Sequence, residues 1–221
     1  MTAQLNGQRI LVVGASGGIG KATADAFEKA GAQVFRPDQE TLDIIDDGSV
    51  DAFFAAQDVF DHVVVAAAKT KTGPVSKLAL TDAQAAMNSK FFGAYRVARA
   101  AKVRDGGSIT FVSGFLSQRP SASSVLQGAI NAALEALARG LALERAPVRI
   151  NTVSPGLVDT PLYAGMSDTE RQAMFEKAAA RLPAGRVGQP DDIAGAILFV
   201  ATNPYVTGST VTVDGGGTIA A

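Results

Sequence analysis

The chain has 221 residues, 47% of them apolar and 19% charged, and carries a net charge of −1. That length and apolar content suit one globular domain with a large core, and the near-neutral balance excludes a general attraction to nucleic acid or anionic lipid. With no cysteine and one histidine, His62, disulfides, thiolate chemistry and a multi-histidine metal centre are excluded, so no metal is expected.

The opening stretch MTAQLNGQRILVVGAS has too short an apolar run for a secretory leader. No segment approaches the ~18 uninterrupted apolar residues of a membrane span, so a cytoplasmic protein without a membrane partner is the expectation. Short β-branched runs then alternate with longer helical patterns. RILVVGA (Arg9–Ala15) predicts a strand, GKATADAFEKAG (Gly20–Gly31) a helix with a glycine stop, and QVFRP (Gln33–Pro37) a second strand. Ser49 is placed to cap a short helix over Ser49–Gln57, and HVVVAAA (His62–Ala68) reads as a buried strand, with His62 ending the helix–strand turn before it. A long helix over Thr81–Val103, a strand over Ser108–Gly114, a helix over Val125–Glu144 and a strand over Val148–Gly156 follow. Helices at Thr169–Ala180 and Pro190–Asn203 and a strand at Gly208–Gly216 complete the chain. Strands that alternate with helices and read as continuous apolar runs belong to a parallel sheet covered on both faces. The expected architecture is a single doubly wound, Rossmann-type α/β domain over residues 1–221, with a mostly parallel sheet of about seven strands and helices on both faces.

VVGASGGIG (Val12–Gly20) lies between the first strand and the first helix. A diphosphate bound there needs a tight turn, backbone N–H groups that can approach closely, and the unpaired donors of a helix N-terminus. Gly14, Ser16, Gly17, Gly18, Ile19 and Gly20 are therefore the candidate nucleotide loop. Its Gly-x-x-x-Gly-x-Gly spacing resembles the short-chain dehydrogenase/reductase family. The likeness extends through VRINTVSPGLVDTPL (Val148–Leu162) and GRVGQPDDIAGAILFVATNPYVTGSTVTVDGGG (Gly185–Gly217). It implies a nicotinamide dinucleotide, NAD or NADP, with Pro155, Gly156, Val158 and Thr160 at the nicotinamide end, Asp43 at the adenine, and Ala67 beside the cofactor in a VAAA segment where the family has Asn-Asn-Ala-Gly. At the end of the second strand, an arginine favours NADP and a carboxylate favours NAD. Arg36 and Asp38 both stand near that point, and the spacing from Gly31 gives the acidic position to Asp38, a lean toward NAD. The connection from the second strand to the next is too short for the full helix that the family usually has there.

The same resemblance implies a serine, a tyrosine, a lysine four residues after it and an asparagine as the proton-transfer set. The aligned residues are Gly114, with Ser113 before it, then Gln127, Asn131 and Asn88. An amide donates or accepts a hydrogen bond but is no general acid near neutral pH. Between Tyr95 and Tyr163 the chain holds no other tyrosine and a single lysine, Lys102, on the preceding long helix. Ser113, Ser117, Ser123, Ser124, Tyr163, Lys69 and Lys71 are possible substitutes, though loop serines and lysines are ordinarily solvated. Asn88 can equally bridge to the backbone of the adjacent strand. The substrate-shaping segment, Leu162–Arg186, carries little information. The Ala-rich faces of the helices over 81–103 and 123–144 resemble the family's subunit contact, which implies a homodimer or homotetramer. Three functions stay open: an oxidoreductase of a small carbonyl or alcohol with a rearranged centre, a dinucleotide-binding sensor, and a structural subunit.

Overall fold

A computed structural model describes residues 4–220. The apolar runs form six strands: β1 (Arg9–Val13), β2 (Gln33–Phe35), β3 (Phe60–Val65), β4 (Val103–Val112), β5 (Arg149–Pro155) and β6 (Thr210–Val213). Every neighbouring pair is parallel, in the order β2-β1-β3-β4-β5-β6. The helices are α1 (Gly18–Lys29), α2 (Asp47–Ala55), α3 (Leu80–Met87), α4 (Gly93–Ala100), α5 (Val125–Glu144), α6 (Asp168–Ala179) and α7 (Pro190–Thr202). Successive strand residues point to opposite faces. Ile10 and Val12 therefore join Phe27, Val153, Ile193 and Ile197 in a core beneath α1 and α7. Leu11 and Val13 join Phe54, Ile109, Phe111 and Leu134 in a second core, beneath α2, α4 and α5.

Six strands agree with the expected sheet of about seven, and the loop of residues 36–46 and α2 form the connection from β2 to β3. Departures from the expected elements have local causes. Asp46 caps α2 by accepting from the Ser49 N–H at 2.7 Å, while the Ser49 hydroxyl accepts from the Asp43 N–H. His62 lies inside β3, buried, with Nδ1 2.8 Å from the Ser108 hydroxyl; burial first, and then the charge of Arg149, holds its pKa down to about 4. The helix expected over 81–103 is interrupted by a π turn at Asn88–Phe92, and Val103 already belongs to β4.

Arg149, the first residue of β5, is 7% exposed and serves as the C-terminal cap of α7. Its Nη1 donates to the carbonyls of Val200 and Asn203 at 2.8 Å and of Val206 at 3.2 Å, and its Nη2 to that of Ala201. The carbonyls of Val200, Ala201 and Asn203 are acceptors that the end of α7 leaves without an intrahelical partner. Arg149→Leu should therefore cost about 3 kcal/mol or more of unfolding free energy in urea; a loss below about 1 kcal/mol would mean that water reaches these carbonyls.

Candidate functional site

In an open parallel sheet, the crevice lies outside the carboxyl ends of the strands where the order reverses. Here that point is between β1 and β3, and a cleft of about 650 Å³ occupies it. One wall is the glycine loop. Gly14 has φ +91°, and a Cβ there would stand 2.6 Å from the Ala67 backbone nitrogen; at Gly20 a Cβ would overlap the Gly14 carbonyl oxygen at 2.0 Å. The loop thus closes on itself and on the end of β3 without a side chain between them. α1 starts at an N-cap glycine, Gly17, which offers no side-chain acceptor, and its first turn holds no acidic residue. The free N–H groups and the positive end of the helix dipole are left for a ligand anion.

The rest of the lining comes from Pro37, Asp38, Gln39, Leu42, Asp43, Ile44 and Ile45 after β2, from Ala66–Lys69 after β3, and from Ala85, Asn88, Ser89, Thr160, Pro161 and Leu162. Gly14, Ser16, Gly17, Gly18, Ile19, Gly20, Asp38, Asp43, Ala67, Asn88 and Thr160 are thereby brought together. Arg36 is elsewhere: its Nη2 sits 2.8 Å from Asp25 Oδ1 and 2.8 Å from Glu28 Oε2, both on α1. The Asp38 carboxyl is held below its ordinary pKa by hydrogen bonds from Thr41, the side chain first and then the N–H. Pro155 and Gly156 end β5, where a Cβ on Gly156 would stand 2.6 Å from Asp214 Cα. Val158 is 5% exposed and faces the core beneath α1 and α7. These three set the course of the chain into Thr160 rather than lining the cleft.

Behind the cleft, α5 and the end of β4 hold a buried polar cluster. The Asn131 side chain accepts at Oδ1 from Lys90 Nζ at 2.7 Å, and the same ammonium donates to the Ser113 carbonyl at 2.8 Å. Ser113 Oγ (3.0 Å) and Ser117 Oγ (2.7 Å) both donate to Glu135 Oε1. Asn131 and Glu135 lie four residues apart on one face of α5 and are 3% and 8% exposed. Gly114 adjoins the cluster: a Cβ on it would stand 2.8 Å from Asn131 Nδ2. Gln127 Nε2 donates to Thr70 Oγ1, while its Oε1 is buried without a partner.

Lys90 is the residue that sequence reasoning missed. The family resemblance places the cation on α5, and between Tyr95 and Tyr163 the chain holds no lysine but Lys102. The π turn Asn88–Phe92 supplies it from the neighbouring helix: Asn88 lines the cleft, Ser89 accepts from the Lys69 N–H at 2.9 Å, and Lys90 reaches Asn131. The backbone bridge expected of Asn88 is thus made by Ser89. Asn88 followed two residues later by a lysine was the available sign. The other substitutes are engaged elsewhere. Tyr163 stacks edge-on to Phe175 at 5.5 Å with its phenol pKa raised by burial, Lys71 pairs with Asp82 at 2.8 Å, and Ser123 meets Ser121 at 3.0 Å. Lys69 Nζ reaches Gln39 Oε1 at 2.8 Å, between two lining residues of the cleft.

Known proteins resemble the chain over nearly its whole length. The sequence model of a family described as "Enoyl-(Acyl carrier protein) reductase" matches residues 38–218. The 2,3-dihydro-2,3-dihydroxybenzoate dehydrogenase of Escherichia coli (strain K12) is 31% identical, with 98% of this chain and 99% of that protein covered. The cis-4-hydroxycyclohexanecarboxylate dehydrogenase of Sinomonas cyclohexanicum is 30% identical, with 96% and 97% covered. A crystal structure of a small-chain dehydrogenase in complex with NADPH is 39% identical, superposes with a TM-score of 0.91, and covers 97% of this chain and 100% of its own.

Burial lowers the Lys90 pKa from 10.5 to about 8, opposed in part by the charge of Glu135. Below about 8 the folded protein carries a desolvated charge; between about 8 and 10.5 it sheds that proton while the unfolded chain keeps it, so stability should rise with pH across this window. Lys90→Met removes the effect. The unfolding free energy of wild type relative to Lys90→Met should therefore improve by about 3 kcal/mol from pH 7 to 10.5. An unchanged difference in urea melts at the two pH values would show that the ammonium is not buried.

Proposed function

The chain belongs to the short-chain dehydrogenase/reductase family, and on that premise we propose that it is an oxidoreductase that binds NAD(H) in the β1–β3 crevice and interconverts a small carbonyl compound and its alcohol. The observation that carries this reading is the uncapped N-terminus of α1 opening into the cleft beside Asp38. The first-turn N–H groups take the diphosphate, and the glycines give it room. Asp38 accepts from the adenosine ribose hydroxyls and repels a 2′-phosphate, while Arg36, held by Asp25 and Glu28, is engaged away from that spot. Asp43 stands at the adenine and Ala67 beside the nicotinamide half. Pro155, Gly156 and Val158 fix the strand end from which Thr160 meets the nicotinamide side. When bound, the dinucleotide supplies the hydride.

The proton-transfer centre is degenerate in this reading, because Gly114, Gln127 and Asn131 occupy the family's serine, tyrosine and lysine positions. Asn88, Ser113, Gln127 and Asn131 orient the substrate and cofactor through hydrogen bonds, and the substrate oxygen exchanges its proton with water admitted to the cleft. General acid catalysis ordinarily contributes about 10²–10⁴ in rate, so turnover is slow. The missing acid also favours a second reading, a dinucleotide-responsive binding protein without turnover. The exposed Phe92 and Tyr95 near α4 and Val125 and Leu143 on α5 support assembly as a homodimer or homotetramer across those helices. No helix among the described residues is long and apolar enough to cross a membrane.

NAD or NADH at 100 times its dissociation constant should stabilise the protein by about 2.7 kcal/mol, a rise of roughly 5–10 °C in Tm for a chain of this size. NADP should bind at least about tenfold more weakly, and Asp38→Ala should narrow that gap, since the gap reflects one repelled phosphate charge. Tighter binding of NADP would overturn the assignment to NAD. Loss of NADH absorbance against a panel of small carbonyl compounds supports the oxidoreductase; binding with no oxidation across the panel leaves the sensor.

A further inference from the structure

The reading of the crevice as a dinucleotide site leaves one feature without a role: a lysine driven by a π turn into the space behind it. We propose that Lys90 is the positioning cation of this site, delivered from the α3–α4 junction in place of a lysine on α5, and that it acts through Asn131, whose Nδ2 it orients and polarises to donate a hydrogen bond to the nicotinamide ribose.

The geometry carries the proposal. An amide has two faces that sequence cannot tell apart, but a lysine can only donate. With Nζ at 2.7 Å, Asn131 must turn its oxygen to Lys90 and therefore its NH₂ away, toward Gly114 and the end of β4. Gly114 is what makes room, since a side chain there would meet that nitrogen at 2.8 Å. The second Lys90 bond, to the Ser113 carbonyl, fixes the ammonium between β4 and α5, and Glu135, tied to Ser113 and Ser117, balances its charge one helical turn beyond Asn131. A hydrogen bond from a charged donor pulls electron density from the amide and strengthens what its N–H can give. The π turn is the device that permits this: it leaves Asn88 on the cleft, Ser89 on the loop after β3 and Lys90 on Asn131 in three successive residues. π turns inside α-helices are frequent at functional sites.

The test is NADH affinity, read from the fluorescence of the reduced nicotinamide, in wild type, Lys90→Met, Lys90→Arg, Asn131→Asp, Asn131→Lys and the Lys90→Met/Asn131→Lys double variant, between pH 6 and 9.5. Among the described residues, the charged group that acts on Lys90 is Glu135. Wild-type affinity should fall as the pH passes about 8, where the lysine loses its proton. Lys90→Met should bind about tenfold or more weakly at pH 7, the size of a lost charge-assisted hydrogen bond, with a flat pH profile, and Lys90→Arg should retain binding with no fall at high pH. Asn131→Lys alone should be damaging, because it sets two cations together, whereas the double variant returns the cation to α5 and should recover affinity. Asn131→Asp keeps a partner for Lys90 but removes the donor, so it should bind as weakly as Lys90→Met; it serves as the test if the methionine variant does not fold by circular dichroism. Wild-type affinity and wild-type pH dependence in Lys90→Met, or in Asn131→Asp, overturns the proposal while leaving the dinucleotide site intact. Failure of wild type to bind NADH or NADPH at any pH overturns the dinucleotide reading itself.

Discussion

The close approach of the first strand's turn to the end of β3 is the constraint on which the site depends. Gly14 lies so near Ala67 that a single methyl group would meet backbone at 2.6 Å, and Gly20 lies so near Gly14 that a Cβ would overlap its carbonyl. Any larger residue would push the loop outward, over the ground that the cleft occupies, and would tilt the first turn of α1. The parallel order then does the rest. Because the chain leaves β1 in one direction and β3 is reached from the other side, no crossover covers the gap between their carboxyl ends. The dinucleotide site is thus a consequence of packing two short backbone segments in contact, with the helix dipole aimed at what remains.

The polar cluster behind the cleft shows a different economy. A buried ammonium and a buried carboxylate each carry a large desolvation cost unless paired or hydrogen-bonded. Lys90 and Glu135 do not touch directly in the hydrogen-bond network; Lys90 is anchored to both Asn131 and Ser113, and Glu135 to the Ser113 hydroxyl. Replacing a charged pair of this kind with apolar residues is often neutral or stabilising. Fold stability therefore gives little reason to build it, and its position against the nucleotide crevice gives a better one.

Much of this was legible in the sequence, and the illegible parts share a cause. Strands, most helices and the glycine loop are written in local periodicity and in glycines with one conformational use, and they stand where the pattern put them, β5 to within a residue at each end. Arg36 and Asp38 both stand just past the end of β2 in the sequence, and the pair of carboxylates on α1 that engages Arg36 is brought to it only in three dimensions. Lys90 and Glu135 were not legible. The π turn has no composition of its own, and 3.6-residue periodicity runs through Thr81–Val103 as if unbroken. A lysine on α3–α4 becomes part of the α5 cluster only because that turn rotates it there. His62 and Arg149 were hidden for a related reason: each looks like an ordinary charged or polar residue until its strand is threaded through the centre of the sheet.

The edge of the sheet at β2 connects these observations. Beyond β2 the loop of residues 36–46 borders the cleft, and it is held inward by packing rather than by a ladder of hydrogen bonds. Ile44 is 8% exposed and lies against α4 at Gly93, where a Cβ would meet its Cδ1 at 2.7 Å. Gly93 is the first residue after the π turn. The loop of residues 36–46 on one side of the cleft and the turn that carries Lys90 therefore rest on the same helix junction, joined through the contact of Ile44 with Gly93.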